Sequence, residues 1–350
     1  MSDPPGLDRA VLTAWWRTTL DEGATALAPG TDVLAADLVA GGKSNLTYRV
    51  GDGERTWIVR RPPLGHVLAT AHDMRREHRV MTALRPTAVP VPTTYALAED
   101  DAVLGAPFYV MEDVAGVPYR SAAELAPLGP ERTRRISERL VDTLAALHEV
   151  DPAEVGLADF GRPEGFLTRQ VARWGTQMER SRTRELPAAD ELLRRLEAGV
   201  GEAQDDDATG IVHGDFRLDN VLTDADDRPA AVIDWEMATL GDPLTDLALL
   251  VVYGRLAGLA PAAVADATRA PGHLDEAEVL ERYAAARGLE DRLGTVLGFH
   301  LGLASYKLAA ILEGIHHRHQ AGQTVGPGFD GIGAVVGPLL DIGLEATARP

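Results

Sequence analysis

The pattern of hydrophobic and polar positions changes along the chain, and its first part predicts strands. Short apolar runs rich in β-branched and aromatic residues alternate with glycine-rich or acidic turns, which is typical of antiparallel strands. The predicted strands cover residues 37–40, 46–50, 56–60 and 107–112, with one more before the acidic turn at 99–101. A helical period of apolar residues predicts helices over 7–20 and 71–84.

The later part of the chain follows the period of an amphipathic helix instead. Helices are predicted over residues 131–150, 165–184 and 188–198. Gly199 is the expected end of the last of these, and from Leu244 onward the pattern is helical almost throughout. We therefore expect an α+β protein of two lobes, a small one over residues 1–113 with a helix and an antiparallel sheet, and a larger helical one over 114–350.

One short segment of the helical lobe has a spacing that suggests chemistry. Residues 213–220 have the sequence HGDFRLDN, in which Asp215 follows His213 by two positions and Asn220 follows Asp215 by five. A second apolar strand over 230–234 ends on Asp234. This is the spacing of the catalytic loop of kinases. A surface turn rich in Asp and Asn would explain the residue types but not the spacing.

The residue types at these positions fit phosphoryl transfer. We expect Asp215 to act as the base that orients and deprotonates an acceptor hydroxyl. Asn220 and Asp234 are the expected ligands of the Mg²⁺ that neutralises a nucleoside triphosphate. The sequence predicts ATP as the phosphate donor, without distinguishing it from GTP. The small lobe is then expected to bind the nucleotide, and the helical lobe to hold the acceptor.

A glycine-rich turn between the first two strands is the candidate for a phosphate-covering loop. Glycine lets backbone amides approach phosphates, so we expect Gly42, Lys43, Ser44 and Asn45 to contact the nucleotide. Hairpin turns are commonly rich in glycine, so the turn has an ordinary structural interpretation as well. It is not a Walker P-loop, because Asp37 occupies the place of the first glycine of that motif.

The third strand and the following helix offer an ion pair for the nucleotide. Arg60 stands where a cation should face the α- and β-phosphates, and Lys43 is a second candidate for that contact. Glu77 is the expected partner of Arg60, or alternatively a solvated charge on the helix surface. Glu112 and Val114 lie where the two lobes are expected to join, so their backbone is a candidate for contact with adenine.

These motifs together resemble the aminoglycoside phosphotransferase-like family. The resemblance rests on residues 213–220 and 233–243, and it extends over about 38–323. Residues 161–165 and 308–314 are similar to one branch, whose members occur alone in bacteria or fused to acyl-CoA dehydrogenases. The resemblance implies the two-lobed fold of protein kinases and the roles already given to Asp215, Asn220, Asp234 and Glu77. Antibiotic-modifying members have Lys where this chain has Arg60, whereas the narrower branch has Arg.

Composition excludes several classes of partner. Lys and Arg number 34 against 53 Asp and Glu, a formal charge of −19, which repels nucleic acid and anionic membranes. The chain has no cysteine, so disulfides, thiolate nucleophiles and cysteine metal sites are absent. No secretory signal is evident at residues 1–6, and no uninterrupted apolar run is long enough to span a membrane. We therefore expect a cytoplasmic protein; its oligomeric state is not predicted.

Local clusters of basic residues suggest the charge of the acceptor. Arg169 and Arg173 lie on the predicted helix over 165–184, and Lys307 lies on a later helix. Cations in so acidic a chain predict an anionic acceptor such as a hydroxy acid or a hydroxyacyl-CoA. They are equally consistent with solvated faces or partners for the acidic excess. An aminoglycoside kinase and a catalytically weak nucleotide-binding module are the alternative functions.

Overall fold

The fold was analysed in a computed structural model that describes residues 3–21, 32–39, 45–64, 73–205, 208–259, 265–323, 329 and 331–348. The chain divides into two compact units. The first consists of Met1–Gly116 and Ala230–Ala238, and the second of Val117–Pro229 and Thr239–Pro350. The boundary that was predicted after residue 113 stays a prediction about the two lobes.

The first unit contains an antiparallel sheet and two helices. In chain order its elements are α1 (Arg9–Asp21), β1 (Ala35–Leu38), β2 (Leu46–Gly51), β3 (Thr56–Arg61), α2 (Met74–Leu84), β4 (Thr94–Ala98) and β5 (Phe108–Glu112). The five strands are all antiparallel, in the order β1-β2-β3-β5-β4. The predicted strands are confirmed, although β1 begins two residues earlier than the sequence suggested.

Alternation of side chains along the strands builds the core under α1. Tyr48 on β2 and Phe108 on β5 are fully buried, and so are Leu12 and Trp16 on α1. The Trp16 ring meets Trp57 of β3 edge-on, with ring centroids 5.1 Å apart. Each large apolar side chain buried in this way contributes roughly 1.5–3 kcal/mol. This core fixes β3, the strand that carries Arg60.

The segment Ala230–Ala238 belongs to the first unit, although the whole stretch Val117–Pro229 separates it from the rest of that unit in the chain. Backbone hydrogen bonds give the physical reason. The Val232 amide donates to the Pro90 carbonyl at 2.8 Å, and Arg76 donates to the Ala238 carbonyl at 3.2 Å. Such contacts between residues far apart in sequence leave no local signal. They bring Asp234 to the unit that contains Arg60.

The second unit is mainly helical. In chain order, the elements after β5 are α3 (Ala122–Leu125), α4 (Pro130–Glu149), α5 (Phe166–Ser181), α6 (Pro187–Ala203), β6 (Gly210–Val212), β7 (Val221–Thr223), β8 (Pro229–Val232), β9 (Thr239–Gly241), α7 (Leu244–Leu259), α8 (Glu276–Arg287), α9 (Leu293–Gln320) and α10 (Ile332–Ala346). All of them belong to the second unit except β8, most of which belongs to the first. The predicted helices are confirmed, and β6 pairs antiparallel with β9. Residues 213–220 therefore leave directly from a paired strand.

The predicted end of α6 at Gly199 is wrong. The helix continues to Ala203 and contains both Gly199 and Gly201. A glycine inside a helix costs only about 1 kcal/mol relative to alanine. Ala189, Leu192 and Leu196 are completely buried along one face of α6, so tertiary packing outweighs that cost.

The expectation that no segment is long enough to span a membrane also needs correction. Among the described residues, α9 has the length and composition of a membrane span. Most of its apolar window, 61%, is buried inside the protein, where α9 packs against α5, α7 and α10. His300 and Lys307 interrupt the helix, which is why a search for uninterrupted apolar runs missed it. Such burial is typical of the core helix of a globular unit.

Candidate active site

Asp246 on α7 holds the start of the segment 213–220. Its two carboxylate oxygens accept hydrogen bonds from the backbone amides of His213, at 2.6 Å, and Gly214, at 2.7 Å. Burial raises the pKa of Asp246, but its contacts with His148 and with the segment hold the pKa below its ordinary value. Gly214 has φ 84°, a conformation that favours glycine. The backbone before Asp215 is thus fixed by an ionised, completely buried carboxylate.

Both oxygens of the Asp215 carboxylate are held by neighbours in the second unit. The Tyr253 hydroxyl donates to Oδ1 at 2.8 Å, and the Asn220 amide nitrogen donates to Oδ2 at 3.1 Å and to the Asp215 carbonyl at 2.9 Å. The Arg217 Nε lies 3.5 Å from Oδ2, and the Asp215 side chain remains 28% exposed. An oriented carboxylate that still reaches solvent can accept a proton from a bound hydroxyl.

The sequence analysis missed Tyr253 and Arg217. Tyr253 lies 38 positions after Asp215, in an apolar stretch of α7 where nothing local marks it. Arg217 lies inside the recognised segment. Its guanidinium sits 4.9 Å over the Tyr253 ring and forms an ion pair with Asp219 at 2.9 Å.

Lys307 and Arg173 both lie close to the ring of one buried tryptophan, Trp174. The Lys307 ammonium donates to the Gly214 carbonyl at 2.8 Å and lies 5.6 Å from the centre of the Trp174 ring. The Arg173 guanidinium lies 5.2 Å from the same ring. Burial lowers the pKa of Lys307, and the charge of Asp215 opposes that shift. Neither cation forms an ion pair with any carboxylate in the part of the chain that the structure describes.

Arg169, the third predicted acceptor residue, has a different environment. Its guanidinium donates to the backbone carbonyls of Arg162 and Glu164, in the turn before α5. Two other arginines of this region pair with carboxylates, Arg182 with Asp190 and Arg184 with Glu313. The structure therefore brings Arg173 and Lys307 together but leaves Arg169 in a structural turn.

In the first unit, Arg60 lies at the centre of an acidic cluster. Its Nε is 3.0 Å from Glu77, its guanidinium is hydrogen-bonded to Asp234, and Glu236 is 3.9 Å away. Burial lowers the pKa of Arg60, but Glu77 and the other acidic groups raise it above its ordinary value. Three carboxylates around one guanidinium leave the cluster with an excess of negative charge, which favours a further cation.

Glu77 on α2 is the most enclosed member of this acidic cluster. Its side chain is 1% exposed, and its oxygens accept hydrogen bonds from Asn45 and Tyr109, both at 2.9 Å. Burial raises the pKa of Glu77 to about 7, although Arg60 and Tyr109 act in the opposite direction. The alternative of a solvated surface charge is therefore wrong for this residue.

The predicted phosphate-covering turn is described only at its last residue. Gly42, Lys43 and Ser44 lie outside the described residues. The Asn45 amide donates to Glu77 and, at 3.1 Å, to Glu236. Asn45 thus supports the acidic cluster, which differs from the phosphate contact that the sequence suggested.

Glu112 and Val114 lie at the end of β5 and just after it. The Glu112 amide donates to the Thr93 carbonyl at 2.8 Å, and its carboxylate accepts from the Thr93 amide at 3.1 Å. Glu112 lies opposite Trp57 in the sheet. Contact of this backbone with adenine stays a prediction.

Asp234 is placed by an unusual backbone conformation. The residue follows β8 and has φ 67° and ψ 56°, in the left-handed region that is uncommon for residues other than glycine. Trp235 is buried next to it and donates to the Val232 carbonyl at 2.9 Å.

Within the described ranges, no group of three or more His, Asp or Glu could hold a metal by itself. Mg²⁺ at phosphoryl-transfer sites commonly needs only one or two protein ligands, because phosphate oxygens and water complete the shell.

Comparison with known proteins adds independent evidence. The model of the phosphotransferase enzyme family matches residues 36–319. Acyl-CoA dehydrogenase family member 11 from Gallus gallus is 33% identical over 315 residues, which cover 88% of this chain but 40% of that protein. The chain therefore matches less than half of that relative.

Two solved structures extend the comparison to the fold. A candidate aminoglycoside phosphotransferase from Ralstonia eutropha JMP134 is 31% identical, with a TM-score of 0.82 over 97% of this chain and 98% of the other. The aminoglycoside phosphotransferase APH(4)-Ia, in a ternary complex with AMP-PNP and hygromycin B, is 18% identical, with a TM-score of 0.61 over 95% of this chain and 99% of the other. These matches confirm the expected α+β, protein-kinase-like fold and the resemblance from which it followed.

Proposed function

The chain belongs to the phosphotransferase enzyme family. We propose that it uses ATP and Mg²⁺ and transfers the γ-phosphate of ATP to a hydroxyl group of a small anionic molecule. The observation that carries this proposal is the environment of Asp215. Its carboxylate is held by Tyr253 and Asn220 and is still partly exposed. These properties suit a base that orients an acceptor hydroxyl and takes its proton as the phosphoryl group arrives.

Residues suited to the donor nucleotide are found in both units. Asp234 and Asn220 offer the oxygen ligands that Mg²⁺ prefers, and the Asn220 nitrogen already faces Asp215, so its carbonyl oxygen is the atom left for a metal. When bound, Mg²⁺ supplies neutralisation of the phosphate charge. Arg60, oriented by Glu77, is the proposed cation for the phosphates. The Gly42, Lys43 and Ser44 turn is proposed to cover them. ATP is the proposed donor, since APH(4)-Ia holds AMP-PNP, and GTP stays the alternative, since another aminoglycoside phosphotransferase of similar fold holds GDP.

Two cations that pair with no carboxylate among the described residues support an anionic acceptor. Arg173 and Lys307 lie 5.2 Å and 5.6 Å from the centre of the Trp174 ring, and Lys307 also donates a hydrogen bond to the carbonyl of Gly214, the residue before Asp215. A carboxylate or phosphate of the acceptor would complete their charge balance close to the base. A hydroxy acid or a hydroxyacyl-CoA has this chemistry, and relatives named acyl-CoA dehydrogenase family members agree with it.

The charge of this region argues against the main alternative. APH(4)-Ia binds hygromycin B, which belongs to the aminoglycosides, and such polycations need a pocket lined with carboxylates. Lys307 and Arg173 would repel such a molecule. The net charge of −19 supports the further proposal that neither nucleic acid nor an anionic membrane is a partner. The cytoplasmic location stays a prediction.

Transfer of label from γ-labelled ATP into a metabolite extract tests the proposal. The products are separated into anionic, neutral and cationic fractions, with and without Mg²⁺. We expect label in the anionic fraction, and we expect Asp215→Asn to reduce its rate by about 10²–10⁴-fold. Equal labelling by that variant would refute the role of Asp215, and label confined to cationic amino sugars would refute the anionic acceptor.

Matched variants separate acceptor binding from chemistry. Lys307→Met and Arg173→Ala should raise the KM for the labelled acceptor by about tenfold each and leave the KM for ATP unchanged. Arg180→Ala changes an exposed arginine on α5, the helix that carries Arg173, and serves as the control. A uniform effect of all three variants would show that only the general surface charge matters.

A further inference from the structure

Helix α7 holds the side chain of Asp215 through Tyr253. No pattern in the sequence connects this tyrosine with the proposed base. The Tyr253 hydroxyl donates to Asp215 Oδ1 at 2.8 Å. The same tyrosine ring supports the Arg217 guanidinium at 4.9 Å, and the Arg217 Nε lies 3.5 Å from Asp215 Oδ2. One side chain therefore acts on both oxygens of the carboxylate, on one directly and on the other through its neighbour.

We propose that Tyr253 is a positioning residue for the base. Its hydroxyl fixes the plane of the Asp215 carboxylate, and its ring holds Arg217 against the other oxygen. The inference rests on the proposed function, in which Asp215 orients the acceptor hydroxyl. It adds a residue outside the catalytic segment on which the rate of transfer depends.

The geometry of α7 explains why a residue so far along the chain can do this. Asp246 and Tyr253 are seven positions apart on the helix, which is about two turns, so they lie on the same face. Asp246 fixes the backbone amides of His213 and Gly214, and Tyr253 fixes the side chain of Asp215. A single rigid helix thus sets both the path of the segment and the direction of its carboxylate.

The chemistry of a phenol suits this task. The terminal torsion of an aspartate is broad, so the plane of its carboxylate is set by hydrogen-bond partners. Burial raises the pKa of Tyr253 well above its ordinary value, and the charge of Asp215 adds to the shift, so the hydroxyl stays protonated and donating at neutral pH. It orients the carboxylate as a neutral group, without adding another positive charge beside the acceptor hydroxyl.

Phosphate release from Mg-ATP, with water as the acceptor, tests the inference without knowledge of the natural acceptor. Tyr253→Phe keeps the ring and removes only the hydroxyl. We expect its kcat to fall about tenfold while the KM for Mg-ATP stays within about twofold. Tyr253→Leu also removes the ring under Arg217 and should lower kcat further. Tyr306→Phe, a change at a buried tyrosine of α9, is the matched control and should behave like the wild type.

A double variant distinguishes positioning from a general structural role. Because Tyr253 acts through Asp215, Tyr253→Phe should have no further effect on kcat in an Asp215→Asn background. Thermal unfolding of the single variant should follow that of the Tyr306→Phe control. A kcat of Tyr253→Phe within twofold of wild type, or a full loss in the Asp215→Asn background as well, would overturn the proposal.

Failure of the proposed function has a separate signature. If the wild type binds Mg-ATP but transfers phosphate neither to water nor to an extract, phosphotransfer at Asp215 is refuted. Crystal structures of wild type and Tyr253→Phe then decide the positioning. Rotation of the Asp215 carboxylate in the variant supports it, and an unchanged carboxylate plane overturns it.

Discussion

Asp234 combines a strained backbone with a proposed metal ligand. Asp227 and Asp234 are the non-glycine residues with positive φ in the described part of the chain. A left-handed aspartate costs of order 1 kcal/mol, and such strain tends to collect at functional sites. Glycine would relieve the strain, but it would remove the carboxylate that meets Arg60. The two properties can be separated by substitution.

Asp234→Asn should abolish Mg²⁺-dependent nucleotide binding without weakening the fold. Asparagine tolerates the left-handed region, so backbone strain is nearly unchanged while the negative charge is lost. We expect the affinity for ATP with Mg²⁺ to fall at least about tenfold, as measured by calorimetry. Asp234→Gly is the control for strain; it should bind as poorly but unfold at a temperature equal to or above that of Asp234→Asn. Mg²⁺-dependent binding retained in both variants would contradict the metal assignment.

Arg60 tests whether the shape of the cation matters. Its guanidinium meets Glu77 with Nε and Asp234 with a terminal nitrogen. A lysine ammonium is a point charge on a flexible stem and does not reproduce this two-sided contact. Arg60→Lys should therefore raise the Kd for Mg-ATP by about tenfold, whereas Arg49→Lys on neighbouring β2 should leave it unchanged. Equal effects at the two positions would show that Arg60 contributes only positive charge.

At the scale of elements, the sequence predicted what local patterns encode. Alternating apolar residues identified β2, β3 and β5, and the spacing from His213 to Asn220 identified the candidate catalytic segment. What local patterns did not encode are contacts between distant residues. The helix α6 passes Gly199 because its buried face outweighs the glycine, and Ala230–Ala238 joins the first unit through bonds to residues about 140 or more positions earlier.

The candidate site follows the same rule. Asp234 was predicted from the end of the strand after the motif, and Arg60 and Glu77 from their places on the third strand and the following helix. The structure brings the three together. The environments of Tyr253 and Arg169 could not be predicted from the sequence, for opposite reasons. Tyr253 looks like a core residue of an apolar helix, and Arg169 looks like a free charge although two backbone carbonyls occupy it. Side-chain hydrogen bonds of this kind leave no periodic signal.

The ion pair between Arg60 of β3 and Glu77 of α2 should make the stability of the protein depend measurably on pH. The pKa of Glu77 is about 7 in the folded state, above its ordinary value of 4.5, so between these values the folded state binds the extra proton. The stability that the raised pKa of Glu77 contributes is present in full below about pH 4.5 and is lost as the pH rises through about 7. Glu77→Gln removes this titration. From pH 5 to pH 8 the variant should gain stability relative to wild type, on the order of 1–3 kcal/mol, in denaturant unfolding. A difference independent of pH would contradict the assignment.

At the scale of the whole molecule, two electrostatic effects on the proposed anionic acceptor oppose each other. The net charge of −19 repels an anion at long range, whereas Arg173 and Lys307 attract it at contact. Salt screens interactions between distant, exposed charges more strongly than those between close and partly buried ones, since the Debye length is about 10 Å at 0.1 M. Added salt should therefore weaken the repulsion more than the attraction.

The salt dependence of KM consequently distinguishes the classes of acceptor. For an anionic acceptor, raising the ionic strength from about 20 to about 200 mM should lower KM roughly twofold. For a cationic amino sugar the same change should raise KM, because salt then screens a long-range attraction. Lys307→Met should raise KM at every salt concentration while leaving the direction of the salt effect unchanged, since it alters the contact and hardly alters the overall charge. Initial rates at saturating Mg-ATP provide the measurement, and a KM that rises with salt for the anionic acceptor would show that attraction by Arg173 and Lys307 outweighs the long-range repulsion.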